Sequence, residues 1–149
     1  GIMLYGTSPL LDRSADELDL KPVMQFESRL AAIQHVRKGE AIGYGSTWQC
    51  PQDMPVGVVA AGYGDGYPRH VAPGTRVYVQ GVLVPIVGII SMDTMTIDIT
   101  DHPEIGLGDT VELWGEHLPV EDVAKKAGTI GYELIAQISH RARAHTVKI

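Results

Sequence analysis

Short runs of alternating or β-branched residues, each closed off by glycine or another turn former, recur from residue 22 to residue 114 and leave this chain few ways to fold. From Pro22 the side chains alternate, with Met24, Phe26, Ser28, Leu30 and Ala32 on one side and Gln25, Glu27 and Arg29 on the other. That is the period of a half-buried strand. Residues 56–61, 75–79, 82–87, 95–99 and 109–114 repeat the signal. Gln80-Gly81 joins two of these runs as a tight hairpin, with glycine supplying the positive φ. Strands this short bury their apolar faces only against one another. The expected fold is therefore mainly β: a curled antiparallel sheet or β-barrel-like domain.

Two short helices near the C-terminus complete it. Residues 120–127 follow Pro119 and stop at Gly128, which suits a helix opened by proline and closed by glycine. Thr129 is placed to cap a second helix running to about Ile138, with Ile130, Leu134, Ile135 and Ile138 on one face. Residues 141–148 alternate again and are expected to return to the sheet. At the other end, Gly1-Ile2-Met3-Leu4-Tyr5-Gly6 has the apolar character of a buried strand with no polar lead-in. Residues 1–10 are accordingly expected to be the remnant of a preceding domain, or else a terminal strand of this domain's own sheet. Residues 11–22, carrying Asp12, Asp16, Glu17 and Asp19, form a surface connector, and residues 23–149 form the β domain.

Charge and composition exclude several classes. The 149 residues suit one domain, and a net charge of −6 with scattered Lys and Arg offers no stripe for nucleic acid. No apolar run reaches the ~18 residues of a membrane-spanning helix. The single cysteine, Cys50, has no internal disulfide partner, so the cytoplasm is the default location. The six histidines are dispersed with no metal-ligand spacing, so no metal is expected. Neither a nucleophile elbow nor a phosphate loop is present.

Three tyrosines stand beside glycine: Tyr44 in Gly-Tyr-Gly, Tyr63 in Gly-Tyr-Gly-Asp-Gly-Tyr and Tyr132 in Gly-Tyr-Glu. Glycine beside an aromatic ring lets a ligand or a backbone approach closely. Residues alone leave two readings open: tyrosines packed at turn edges, or tyrosines presented to a ligand. A phenol ionises near pH 10, so acid–base work near neutrality requires a cationic or hydrogen-bonding neighbour.

The segments Gly1–Gly6, Gly43-Tyr44-Gly45-Ser46-Thr47-Trp48, Gly62-Tyr63-Gly64-Asp65-Gly66-Tyr67-Pro68-Arg69, Pro85-Ile86-Val87-Gly88 leading into Ser91-Met92-Asp93, and Thr129-Ile130-Gly131-Tyr132-Glu133-Leu134 occur in this order. Together they resemble the C-terminal portion of bacterial alanine racemases over essentially the whole chain. The resemblance implies an N-terminal (β/α)₈ barrel that holds pyridoxal 5'-phosphate on a lysine, followed by this β domain, with residues 1–6 as the last barrel strand. It implies that the N–H groups of Gly1 and Ile2, and Tyr132, hold the cofactor phosphate. Tyr44 is implied as the base for the α-proton of L-alanine, and Tyr63 as a residue that narrows substrate entry. Met92, with Asp93 beside it, is implied to meet the substrate carboxylate. A head-to-tail homodimer would carry Tyr44, Tyr63 and Met92 to the partner's cofactor. Two departures stand out. Ile89 and Ile90 occupy positions where many members carry arginine, and residues 140–144 lack a proline often found there.

Racemisation removes a Cα proton on one face and returns one on the other, which calls for two opposed acid–base groups. Lys21, Lys38, Lys125, Lys126 and Lys148 all read as solvated, so the cofactor lysine is expected outside this chain and the chain alone is expected to be inactive. The alternatives are a broad-specificity or serine racemase of the same plan, or a non-catalytic β-barrel binding module.

Overall fold

One strand, β1 (Phe26–Val36), is long enough to serve two neighbours, and that shapes the whole sheet. The computed structural model describes residues 1–10 and 12–146. After β1 come β2 (Ala41–Ile42), β3 (Trp48–Gln49), β4 (Met54–Val59), β5 (Arg76–Val79), β6 (Val82–Val87), β7 (Met95–Asp98) and β8 (Thr110–Trp114). Two helices follow, α1 (Val120–Ala127) and α2 (Gly131–Ala136). The first part of β1 pairs with β8, with Ser28 opposite Val111 and Arg29 opposite Thr110. The remainder pairs with β4, from Leu30 opposite Val59 to Val36 opposite Met54. Six strands thereby close into an antiparallel barrel in the order β1-β4-β7-β6-β5-β8. The hairpin β2–β3 lies apart as its own two-stranded sheet.

The mainly β expectation and the two C-terminal helices hold. Gln80 (φ 48°) and Gly81 (φ 86°) turn the β5–β6 hairpin with positive φ at both positions. The even alternation read from residue 24 holds only in part. The strand begins at Phe26, buries Phe26 and Leu30, and then meets a register shift between Leu30 and Ala32. Leu30 marks the handover between partners. Its N–H donates to the Asp109 carbonyl at 2.9 Å and its own carbonyl accepts from Gly108 at 2.8 Å. A bulge there adds bend and twist, which lets a single strand close the barrel.

Inside, Leu30, Val59, Val77, Val79, Val84, Ile97, Val111 and Leu113 are buried. Trp114 packs against Phe26 with ring centroids 4.7 Å apart and against Tyr67 at 5.9 Å. Val123 and Ala124 of α1 and Leu134 of α2 join the same cluster. A second, smaller cluster comprises Ile42, Cys50, Met54, Val56 and Val87, with Val36 and Trp48 packed against it. It seats the β2–β3 hairpin on β4 and β6.

Three local expectations need correction. Residues Ile2–Tyr5 form a 3₁₀ turn, not a strand, with Met3, Leu4 and Tyr5 largely exposed. Among the described residues no strand pairs with them. Their polar groups are met locally instead, through Leu4 N–H to Gly1 O and Gly6 N–H to Met3 O. The second helix begins at Gly131 with Ile130 as its extended N-cap residue, and it ends at Ala136. The Thr129 hydroxyl reaches the Glu133 side chain and does not cap a backbone N–H. Residues 141–146 are turn and coil, not strand, because the barrel is already closed and offers no edge; the rest of that expected strand lies outside the described residues.

Leu30→Ala removes a side chain that is 1% exposed from the strand shared by both neighbours. The expected loss is about 2–5 kcal/mol, measured by urea unfolding followed through tryptophan fluorescence.

Candidate active site

Tyr44 is displayed by backbone that few residues can adopt. It sits in the 3₁₀ turn Tyr44–Ser46 at the tip of β2–β3 and is 66% exposed. Gly43 takes φ 79°, ψ 178°, a region open essentially to glycine alone, and Gly45 takes φ 73°. A Cβ on Gly43 would come within 2.9 Å of the Ile89 nitrogen. The turn therefore rests directly on the β6–β7 connection, residues 88–94. Between them lies a shallow cavity of about 360 Å³ lined by Gly43, Tyr44, Ile89, Ser91, Thr94 and Met95. No charged side chain lines it. Among the described residues the Tyr44 phenol has no hydrogen-bond partner and no cation over its ring.

The same connection supports Tyr63 from its other side. Tyr63 N–H donates to Ser91 O at 3.0 Å and Gly64 N–H to Met92 O at 2.9 Å. Such contact requires glycine at position 62, where a Cβ would overlap the Ser91 carbonyl oxygen and stand 2.5 Å from that of Met92. Asp65 closes the turn by accepting the Gly62 N–H at 2.9 Å. Tyr67, one turn later, is 1% exposed and stacks in the core, while Tyr63 remains 40% exposed with the Arg69 guanidinium 5.9 Å from its ring centroid. Burial pushes the Tyr67 phenol well above the ordinary tyrosine range, which removes it from acid–base work near neutrality. One tyrosine of this motif is thus an anchor and the other is on display.

Met92 is 49% exposed beside this turn. The Asp93 carboxylate is not free, because it accepts a hydrogen bond from Arg141 Nη2. Arg141 Nε also lies 3.4 Å from Asp65 Oδ1. The hydrogen bond to Asp93, and then the charge of Asp65, strengthen the guanidinium's hold on its proton. Tyr44, Tyr63, Met92 and Asp93 are therefore gathered around residues 88–94.

Gly1, Ile2 and Tyr132 do not belong to that group. Tyr132 lies on the first turn of α2, 45% exposed, and lines a cavity of about 560 Å³ with Ser8, Leu10, Asp16, Glu121 and Lys125. Neither Gly1 nor Ile2 lines it. A looser link exists: a Cβ on Gly131 would meet the Thr7 side chain at 3.0 Å, so α2 starts against the segment that follows the N-terminal turn. The C-terminal end of α2 docks on the Tyr63 turn, where a Cβ on Gly66 would meet Gln137 O at 2.7 Å. The six residues of α2, roughly 9 Å of helix, run from the Tyr132 end to the Tyr63 turn.

Sequence reading missed Asp65 and Arg141. Only the 62–66 motif hinted at the first, since an aspartate three residues after Gly62 can close a turn on its N–H. The two isoleucines before Ser91 part company: Ile90 is 1% exposed in the core, and only Ile89 faces the cavity. Away from this region, buried Glu112 accepts N–H groups of His117 and Leu118 at 2.8 and 2.9 Å, and His117 stacks on Tyr78 at 4.2 Å. That cluster shapes the turn after β8. No described helix is long and apolar enough to cross a membrane, and no described group of His, Cys, Asp or Glu could hold a metal ion.

Residues 23–146 match the family model for the alanine racemase C-terminal domain. The chain belongs to that family. It is 55% identical over 143 residues to the alanine racemase of Legionella pneumophila (strain Paris), covering 96% of this chain and 40% of that protein. To the alanine racemase of Piscirickettsia salmonis it is 49% identical, covering 95% of this chain and 86% of that one. Among solved structures, the biosynthetic alanine racemase of Pseudomonas aeruginosa superposes with a TM-score of 0.92 at 47% identity, covering 95% of this chain and 39% of that one. The alanine racemase of Bartonella henselae, solved with covalently bound pyridoxal phosphate, superposes with a TM-score of 0.84 at 33% identity, covering 95% and 39%. The chain thus spans about 40% of the length of the Legionella and Pseudomonas alanine racemases.

Gly62→Ala drives a methyl group into two carbonyl oxygens of the 91–92 backbone. The expected result is faster amide hydrogen exchange at Tyr63 and Gly64, by about tenfold or more, with a folded barrel retained; unchanged protection at both amides would contradict this packing.

Proposed function

We propose that this chain is the portion of an alanine racemase that presents Tyr44 as one of two opposed proton-transfer groups, acting on alanine at a pyridoxal-phosphate site in a neighbouring subunit. The observation that carries this reading is Tyr44 itself. A phenol that works near neutrality needs a cationic or donor partner. Here the side chain is 66% exposed on a strained glycine-flanked turn, and the cavity beside it is lined by no charged group. A second molecule would supply what the turn lacks. The head-to-tail homodimer expected from the family meets that need.

The residues present fit the cofactor's phosphate. In the N-terminal turn, Leu4 N–H and Gly6 N–H are taken by Gly1 O and Met3 O, while the N–H of Ile2 has no acceptor within the turn. Gly1, Ile2 and the exposed Tyr132 phenol would hold the phosphate. When bound, pyridoxal phosphate supplies the electron sink that makes a Cα–H acidic. Tyr44 then takes or returns the proton on the L-face at its phenol oxygen. The Met92 backbone meets the substrate carboxylate, with Asp93 beside it in the chain, and Tyr63 restricts entry. Lys21, Lys38, Lys125 and Lys126 are all exposed, and the second acid–base group is assigned to a lysine outside this chain.

The test is a graft of these residues in place of the matching segment of the Legionella pneumophila relative. Tyr44→Phe in that enzyme is expected to lower solvent-deuterium exchange from L-alanine by about 10²–10⁴-fold, and from D-alanine far less. Equal losses for both enantiomers would remove Tyr44 from this role. Tyr63→Ala is expected to raise KM more than it lowers kcat in steady-state assays. By itself, the 149-residue polypeptide is expected to show neither racemase activity nor the visible absorbance of lysine-linked cofactor.

A further inference from the structure

Arg141 holds together the two loops that carry Tyr63 and Met92, and nothing in the sequence motifs assigns it a task. Its guanidinium meets Asp65, which closes the Tyr63 turn, and Asp93, which follows Met92. Its Nη1 would overlap a Cβ placed on Gly64, so the guanidinium sits against the turn at that glycine. A planar fork can bridge two carboxylates in a way that a lysine point charge cannot. Two backbone hydrogen bonds also join the loops, Tyr63 N–H to Ser91 O and Gly64 N–H to Met92 O. The segment behind Arg141 is anchored too, with Ser139 N–H donating to Asp65 O at 3.1 Å and Arg141 N–H to Ser139 Oγ at 3.2 Å.

Two carboxylates that touch one guanidinium stand close to each other. Without the cation, Asp65 and Asp93 repel across the seam between turn and loop. Asp93 is 63% exposed and Arg141 47%, so the pair contributes little to global stability. Its effect falls on the separation of two display loops, whose outward residues, Tyr63 and Met92, are themselves exposed.

We propose that Arg141 is a positioning residue that sets the width of the substrate path between Tyr63 and Met92, and thereby the preference for a side chain as small as that of alanine. This rests on the racemase reading above. The experiment uses the same Legionella graft, assayed with alanine and with 2-aminobutyrate, alongside hydrogen exchange of peptides covering residues 62–69 and 91–95. Arg141→Ala is expected to raise the KM for alanine about tenfold while kcat moves less, and to lower the kcat/KM preference for alanine over 2-aminobutyrate about tenfold, the scale of one methylene in a fitted pocket. Exchange at the Tyr63 and Gly64 amides is expected to quicken by a similar factor. Adding Asp93→Asn to Arg141→Ala removes the repulsion and is expected to slow that exchange again and to restore part of the preference. Arg141→Lys is expected to fall between the wild type and Arg141→Ala.

A loss confined to kcat or to melting temperature, with preference and exchange unmoved, overturns the proposal. So does a double variant whose exchange is faster than that of Arg141→Ala. If the unsubstituted graft does not racemise alanine, the racemase reading falls by itself. The exchange measurements then still decide whether Arg141 holds the two loops together.

Discussion

Everything displayed by this domain depends on a strand that changes partners. At Leu30 the backbone leaves β8 and takes up β4, and the bulge at that point supplies the bend that closes six strands into a barrel. Closure leaves no free sheet edge among those six, so polar backbone is met inside the wall and the interior fills with valine, isoleucine and leucine. A closed barrel is a rigid mount. The β6–β7 connection and the β2–β3 hairpin are both tied to that wall, and they hold the exposed side chains from which a reaction site can be built.

The site shows a consistent division of labour between backbone and side chain. Backbone fixes position: carbonyl oxygens of Ser91 and Met92 receive the Tyr63 turn, and Gly43 lies against Ile89. Side chains are left free for a ligand or a neighbour, with Tyr44, Tyr63 and Met92 all substantially exposed. Buried aromatics stabilise the arrangement from below, since Tyr67 joins Trp114 and Phe26 in the core. Glycine recurs here because close backbone approach leaves no volume for a Cβ. An exposed phenol with no cationic or donor neighbour, as at Tyr44 among the described residues, is a poor acid–base group near neutrality, and this is why the functional reading calls for a second subunit.

Much of the fold was legible in residue order. Alternation and β-branched runs located six barrel strands, Gln80-Gly81 marked a hairpin, and Pro119 and Gly128 bracketed α1. The glycine-flanked tyrosines were visible as candidates, and family resemblance assigned them roles. Less legible were segments whose conformation depends on what lies beside them. The apolar residues 1–6 have strand character, yet Leu4 and Gly6 close local hydrogen bonds in a 3₁₀ turn. Residues 141–146 alternate, yet a closed barrel has no vacancy for another strand.

By itself the sequence determined the six barrel strands, the Gln80-Gly81 turn between two of them, and which tyrosines sit beside glycine, because these follow from local sterics and the period of hydrophobic burial. Tertiary structure alone decided that Tyr67 is buried while Tyr63 is displayed, that Ile90 is core while Ile89 faces the cavity, and that Arg141 meets Asp65 and Asp93, both distant from it along the chain. Those outcomes depend on which surfaces the barrel brings together. Contacts between residues far apart in sequence arise only once closure has set the distances between loops, and no local pattern encodes them.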